Sequence, residues 1–245
     1  MNKYLYKNKS SLLKLKRAFN SFFKIEITKY PTEQLSRRIA LLHYHKIDVI
    51  LDVGANIGQY GAEMRNIGFE GDIFSFEPMT KAFQLLEKTA SKDPKWNVLQ
   101  FSLGEIDGQT NINISKNSVS SSLLDQLPQL TESAPEAVFL EKEMIQIRKL
   151  DTIFETLNIN NKKIYLKIDT QGYEEMVLQG AENCLKNIIG IQIEMAFEPS
   201  YKGSLTYHEM KSKLKTLGFQ LHAIENGFFD KKTGKQLEVD GIFFR

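Results

Sequence analysis

From residue 31 onward the apolar positions alternate between two periods. PTEQLSRRIALLHYH spaces its apolar side chains three and four apart and predicts a helix with Thr32 as N-cap. IDVILDV, at 47–53, is an almost continuous apolar run and predicts a buried strand. IGQYGAEMRNIG then predicts a helix closed by Gly68, GDIFSFEP a strand, TKAFQLLEKTA a helix and NVLQFSL a short strand. Strand and helix units in succession predict a parallel sheet joined by crossover helices.

The period is lost in GEIDGQTNINISKNSVSSSLLDQLPQLTESAPE, apart from one predicted strand at Thr110–Ser115. Residues 116–138 are expected to form a long mobile loop, of the kind that serves as a lid or recognition segment. Alternation resumes with MIQIRKLDTIFETL, a strand in KKIYLKID, a helix in EEMVLQGAENCL, a strand in IIGIQIEM and a helix over Tyr207–Leu217. GFQLHAIE and VDGIFFR, separated by a turn containing DKKTGK, predict a closing hairpin, so the last strand runs antiparallel to its partner.

A chain of 245 residues with 42% hydrophobic and 25% charged positions fits one globular domain with decorations. No apolar window approaches the ~18 residues of a membrane span. Cys184 is the only cysteine, which excludes an intrachain disulfide and suits a cytoplasmic location. The net charge of +2 conceals an asymmetry: residues 1–30 carry Lys3, Lys7, Lys9, Lys14, Lys16, Arg17, Lys24 and Lys29 against Glu26, leaving the rest of the chain acidic. In this arm Leu12, Leu15, Phe19, Phe22 and Phe23 recur at helical spacing, with the basic residues largely off the stripe. The division expected is therefore a basic helical extension over 1–46 and a single domain over 47–245. The stripe suits first of all packing on the domain or on a second subunit, and alternatively peripheral contact of residues 1–24 with the anionic inner face of a membrane.

The candidate chemistry begins at VILDVGANIGQYG. A dinucleotide fingerprint needs a second glycine where the backbone approaches a pyrophosphate, and here Asn56 stands between Gly54 and Gly58. Asp52, ahead of the turn, would repel a diphosphate and accept an ammonium. S-adenosylmethionine offers an aminoacyl group and a sulfonium. Glu77 closes the next strand in FEP, about 20 residues past the glycine turn, and suits two vicinal ribose hydroxyls. The same carboxylate could instead cap the helix that starts near Thr80.

ILDVGANIGQYG, FSFEP, the SSSLL of the loop and LKIDTQGYEEMVLQGA at 166–181 together resemble the FkbM-type S-adenosylmethionine-dependent methyltransferases, over roughly residues 48–220. The resemblance implies a class I, Rossmann-like α/β fold: a mostly parallel seven-stranded sheet with an antiparallel C-terminal strand, helices on both faces, and here an N-terminal helical extension. It implies that Asp52, Gly54, Asn56 and Gly58 lie at the methionyl part of the cofactor, Glu77 at the ribose, and Phe101–Leu103, with Ser102 and Leu103, beside the adenine. It also implies O-methylation of a hydroxyl on a sugar, glycan, glycolipid or polyketide product.

KIDTQGYE places Asp169 after the apolar strand Ile164–Ile168 and before the Gly172 turn, at the ligand-binding edge of the sheet. Methylating a hydroxyl needs a base, or a cation that lowers the alcohol's pKa. Asp169 is the leading candidate for that work, with Glu194 at the end of the next strand and His208 behind it. Asp169 and Glu194 could alternatively share a divalent cation such as Mg²⁺. Glu174 and Glu175 read as solvated first-turn residues, Tyr173 as packing, and His43, His45 and His222 as structural. A nicotinamide oxidoreductase lacks its fingerprint, and a non-catalytic binding protein is opposed by the intact acidic residues. Where base-methylating enzymes carry N/D-P-P-Y/F the chain reads DTQGY, and its acidic body does not suit nucleic acid.

Overall fold

The computed structural model describes residues 3–245, with side chains from Leu13 onward. The chain forms two compact units, Met1–Arg38 and Ile39–Arg245. The first contains helix α1 (Lys3–Phe23) and the start of α2 (Glu33–Tyr44). Thr32 caps α2 as its sequence predicts, its Oγ1 accepting the Leu35 N–H at 3.3 Å. The unit boundary falls inside α2, ahead of the expected division at 46. The cause is packing, since Leu42 and Ile47 belong to one cluster with Ile50, Ile73 and Phe244.

The larger unit is built on ten strands: β1 (Val49–Val53), β2 (Asp72–Phe76), β3 (Trp96–Leu99), β4 (Ser102–Leu103), β5 (Gly108–Ser115), β6 (Phe139–Arg148), β7 (Ile164–Ile168), β8 (Ile188–Ala196), β9 (Gln220–Asn226) and β10 (Glu238–Phe244). Seven form one sheet in the order β3-β2-β1-β7-β8-β10-β9. β1, β2, β3, β7 and β8 pair in parallel, and β10 lies antiparallel to both β8 and β9. Every residue of β1 and of β7 is buried, as central strands covered on both faces require.

Alternation along β1 feeds two cores. Val49, Leu51 and Val53 join Leu166, Ile168, Ile191 and the helical residues Val177, Leu178, Met210 and Leu214. Ile50 faces the other way with Tyr165 and Ile242, against Met64 and Leu86. The helices concerned are α3 (Gln59–Asn66), α4 (Thr80–Ala90), α7 (Glu174–Gln179) and α8 (Tyr207–Thr216). α8 starts with a capping box, in which Thr206 Oγ1 takes the Glu209 N–H and the Glu209 carboxylate takes the Thr206 N–H.

Two expectations fail between β3 and β7. The segment NVLQFSL divides: β3 joins the large sheet, whereas β4 pairs with β6, which pairs with β5, to form a separate three-stranded sheet. Residues 116–138 are not an open loop. They contain α5 (Pro128–Ser133) and a 3₁₀ turn at Pro135–Ala137, and they bury Ser120, Ser121 and Ser122. The serines supply the order that the lost periodicity concealed: Ser121 Oγ accepts the Ser115 N–H at 3.0 Å, and Ser122 exchanges backbone hydrogen bonds with Asn113 at 2.9 and 3.1 Å.

Candidate active site

Strand order reverses between β1 and β7, and the carboxyl ends of strands at such a reversal form the ligand crevice of an open α/β sheet. Val53 and Ile168 are register partners at those ends. The chain leaves β1 through Gly54 and β7 through Asp169, whose N–H donates to the Val53 carbonyl at 3.1 Å. Gly54 has φ +78°, and a Cβ on it would lie 1.9 Å from the Asp169 carbonyl oxygen. Only glycine satisfies both conditions. Asn56 and Gly58 continue the turn with φ 47° and 91°, and Asn56 steadies it by accepting the Ile57 N–H on Oδ1 at 2.9 Å.

Glu77 is buried at the end of β2. Its Oε2 accepts the Asn56 N–H and its Oε1 the Met79 N–H, each at 2.9 Å. The carboxylate thus ties the glycine turn to the approach of α4. Burial, partly offset by those two donors, pushes its pKa up to about 7. Ser102 and Leu103 are buried in β4, with Ser102 Oγ donating to the Leu103 carbonyl at 3.2 Å.

Asp52 is fully buried, one residue before the end of β1. It stands in register with Ser75 of β2 and Lys167 of β7, and Lys167 with Gln192 of β8, so one polar row crosses four adjacent strands. Ser75 Oγ receives the Trp96 indole N–H at 3.0 Å and donates to Asp52 Oδ2 at 3.1 Å. Lys167 Nζ lies 3.4 Å from Asp52 Oδ1 and 3.3 Å from Asp169 Oδ2, below the Tyr60 ring at 5.4 Å. Gln192 Oε1 accepts from the Tyr60 and Tyr165 hydroxyls at 3.0 and 3.3 Å. Burial pulls the Lys167 ammonium towards neutrality, but the Asp169 and Asp52 carboxylates outweigh it and raise its pKa. Burial raises the Asp52 carboxyl against the pull of Lys167 and Ser75. With an ammonium 3.4 Å away, the ionised pair is the state we assign.

Asp169 remains reachable, with 39% of its side chain exposed. Gln171 joins it to Glu194: the amide Nε2 donates to Asp169 Oδ1 at 3.1 Å and to Glu194 Oε2 at 2.8 Å. The Gln171 carbonyl Oε1 accepts from the Tyr201 hydroxyl at 2.9 Å, and the same hydroxyl lies 3.0 Å from the Ser120 carbonyl. Ser122 Oγ donates to the Gln171 backbone carbonyl at 2.7 Å. Gln171 holds a left-handed φ of 56°, uncommon for a residue other than glycine and frequent where function over-determines the backbone. A small cavity beside it is lined by Glu174, Glu194, Ser200, Tyr201, Ser204 and Glu238. Burial first, then the Glu238, Asp169, Glu174 and Asp240 charges, raise the Glu194 pKa well above the carboxylate range.

Several sequence readings change here. Glu174 is buried, not solvated: its Oε1 accepts the N–H groups of Thr170 and Gly172 and the Thr170 hydroxyl, closing the turn after β7. Tyr173 does more than pack, donating to Glu105 Oε2 at 2.7 Å. His208 is exposed on α8, against the ring of Tyr207, and is not among the residues lining the cavity at Glu194. Nothing supports the cation expected between Asp169 and Glu194: the group they share is an amide donor, and among the described residues no cluster of three or more His, Cys, Asp or Glu is arranged to hold a metal ion. Lys167, Gln171, Tyr201 and Ser75 were not foreseen. For Ser75 and Lys167 the signal was a lone polar residue inside an apolar strand, in IFSF and YLKI; Gln171 and Tyr201 lie outside the ten strands and carried no such signal.

Residues 52–221 match the family described as the methyltransferase FkbM domain. The chain belongs to the FkbM methyltransferase family. Its fold is that of the class I S-adenosylmethionine-dependent methyltransferases, shared with a putative methyltransferase from Thermobifida fusca at TM-score 0.50 and 11% identity, over 86% of this chain and 78% of that one. An uncharacterized Listeria monocytogenes protein is also similar (TM-score 0.48, 9% identity, 87% of this chain and 67% of that chain). So is TrmK of M. capricolum, in complex with S-adenosyl-homocysteine (0.47, 9%, 88% and 69%). No curated protein sequence matches the chain. The site suits the family's cofactor. Gly54 and Asn56 are partly exposed at the turn, Asp52 Oδ1 has no hydrogen-bond donor beyond its ion pair, and Gly54 lets the turn pass directly against the Asp169 backbone. The turn at 54–58 would hold the methionyl part and Glu77 the ribose. When bound, S-adenosylmethionine supplies an electrophilic methyl group.

Proposed function

We propose that this FkbM-family methyltransferase methylates a hydroxyl group of a carbohydrate or carbohydrate-bearing lipid, with Asp169 as the general base. The observation that supports this most is the position of Asp169. It is a partly exposed carboxylate at the strand-order reversal, one hydrogen bond from the end of β1, with Lys167 on one oxygen and Gln171 on the other. Those two partners fix the carboxylate's orientation and leave an oxygen lone pair free to take a hydroxyl proton as the carbon–oxygen bond forms. Glu194, its pKa raised, is joined to Asp169 through the Gln171 amide and lines the cavity beside it.

The test uses S-adenosylmethionine with a deuterated methyl group, incubated with the protein and with glycan and lipid extracts from cells lacking the gene. Label is expected in an ether methyl on a saccharide. Label confined to saccharide-free products would overturn the acceptor class. Asp169→Asn keeps the shape and removes the charge, and should slow turnover ~10²-fold or more while the affinity for S-adenosylhomocysteine is retained. Normal turnover by this variant would remove Asp169 from the chemistry.

A further inference from the structure

The smaller unit lies outside the residues that match the methyltransferase family. α1 is 21 residues long, roughly 31 Å at the helical rise. Lys3, Lys7, Lys9, Lys14, Lys16 and Arg17 lie along it with no acidic residue, and Lys24 follows directly. Its C-terminal half carries large apolar side chains that remain exposed: Leu15 at 69%, Phe19 at 40%, Phe22 at 80% and Phe23 at 54%. They form one patch, with the Phe19 and Phe23 rings 4.4 Å apart and those of Phe22 and Phe23 4.9 Å apart. Ile25, Ile27 and Tyr30 extend the exposed apolar surface past the end of the helix.

We infer that α1 docks in the plane of an anionic lipid surface, its Leu15–Phe19–Phe22–Phe23 face entering the boundary between headgroups and acyl chains and its basic residues lying among the headgroups. Charge favours lipid over a pairing of α1 with the α1 of a second copy. A symmetric pairing of α1 with a second copy would bring like-charged helices together with no carboxylate on either to compensate. Lipid phosphates supply the missing negative charge, while the acyl boundary receives the phenylalanines, which prefer an interfacial apolar layer. Spanning is not the mode, because no helix among the described residues is long and apolar enough to cross a membrane. Bound in this way, the extension concentrates the protein at a surface where lipid-linked acceptors are held. The docking itself is independent of which acceptor is methylated.

The experiment is co-sedimentation of the full-length chain with vesicles of phosphatidylcholine alone and of phosphatidylcholine mixed with phosphatidylglycerol, at low and high salt. Binding is expected on the mixed vesicles at low salt, at least tenfold above the neutral ones, and it should be lost at high salt. Lys14→Glu/Lys16→Glu/Arg17→Glu and, separately, Phe19→Ser/Phe22→Ser should each reduce binding at least tenfold. Both variants should keep the wild-type affinity for S-adenosylhomocysteine, a readout that separates failed docking from a failed fold or a misread active site. Three outcomes would overturn the inference: equal binding to both vesicle types, no binding to either, or a full-length dimer that Phe22→Ser converts to monomer.

Discussion

At the scale of single residues, the ion pair between Lys167 and Asp52 couples the core to the site. Both are buried, so neither charge is tolerable without the other. Lys167→Met is expected to destabilise the protein by roughly 3 to 5 kcal/mol, because it strands the Asp52 carboxylate in the sheet. Adding Asp52→Asn should recover a large part of that loss. Urea unfolding of the two variants checks both steps, and equal stability of Lys167→Met and wild type would show that the pair is dispensable. Glu77 and Glu174 give a pH dependence. Each has a folded-state pKa raised by burial to about 7, above an unfolded value near 4.5. A raised folded-state pKa means the contribution is complete below the unfolded pKa and is lost as pH rises through the folded one. The cofactor-free protein should therefore lose stability between about pH 4.5 and pH 7, by up to roughly 3 kcal/mol for each carboxyl. Glu77→Gln and Glu174→Gln should each flatten the slope of thermal denaturation against pH over that window.

At the scale of elements, the segment between β5 and β6 is tied to the turn after β7 by few contacts. Tyr201 is buried, and its hydroxyl serves Gln171 Oε1 and the Ser120 carbonyl, while Ser122 Oγ reaches the Gln171 carbonyl. Tyr201→Phe removes the one proton that the Gln171 Oε1 and the Ser120 carbonyl share, at a cost of about 1 to 3 kcal/mol. The loss should be local as well as global: hydrogen exchange in residues 116–126 is expected to accelerate in Tyr201→Phe, with that in β1 and β2 unchanged. Uniform acceleration would mean that the segment is not a separable unit. The two sequence cues for this region point in opposite directions. SSSLL resembles the family's pattern, yet its lost periodicity reads as an open loop, because hydroxyls bonding the backbone replace the apolar contacts that a period detects.

At the scale of the molecule, each of the four apolar clusters found among the described residues is made of residues from Ile39 onward. Removing residues 1–24 should accordingly preserve cooperative unfolding and the affinity for S-adenosylhomocysteine. Calorimetric titration and thermal melts of the truncated chain check this, and a lost transition would make the extension part of the folding unit.

The amino-acid sequence by itself determined the alternation of elements, the antiparallel closing strand, the glycine turn, and the strand-end positions of Glu77 and Asp169, whereas Glu194, read as a strand end, lies within β8 in register with Asp240. Each of these follows from a residue's own preference: an apolar run must be buried on both faces, a left-handed turn selects glycine, and a carboxylate cannot sit within a core strand without a partner. Tertiary structure decided what no single position encodes. Ser75, Asp52, Lys167 and Gln192 are far apart in the chain and become one row only through strand register, which exists once the sheet has formed. The same assembly buries Glu174, sets the small sheet beside the large one, and places one glutamine amide between two carboxylates where the sequence alone had left room for a cation.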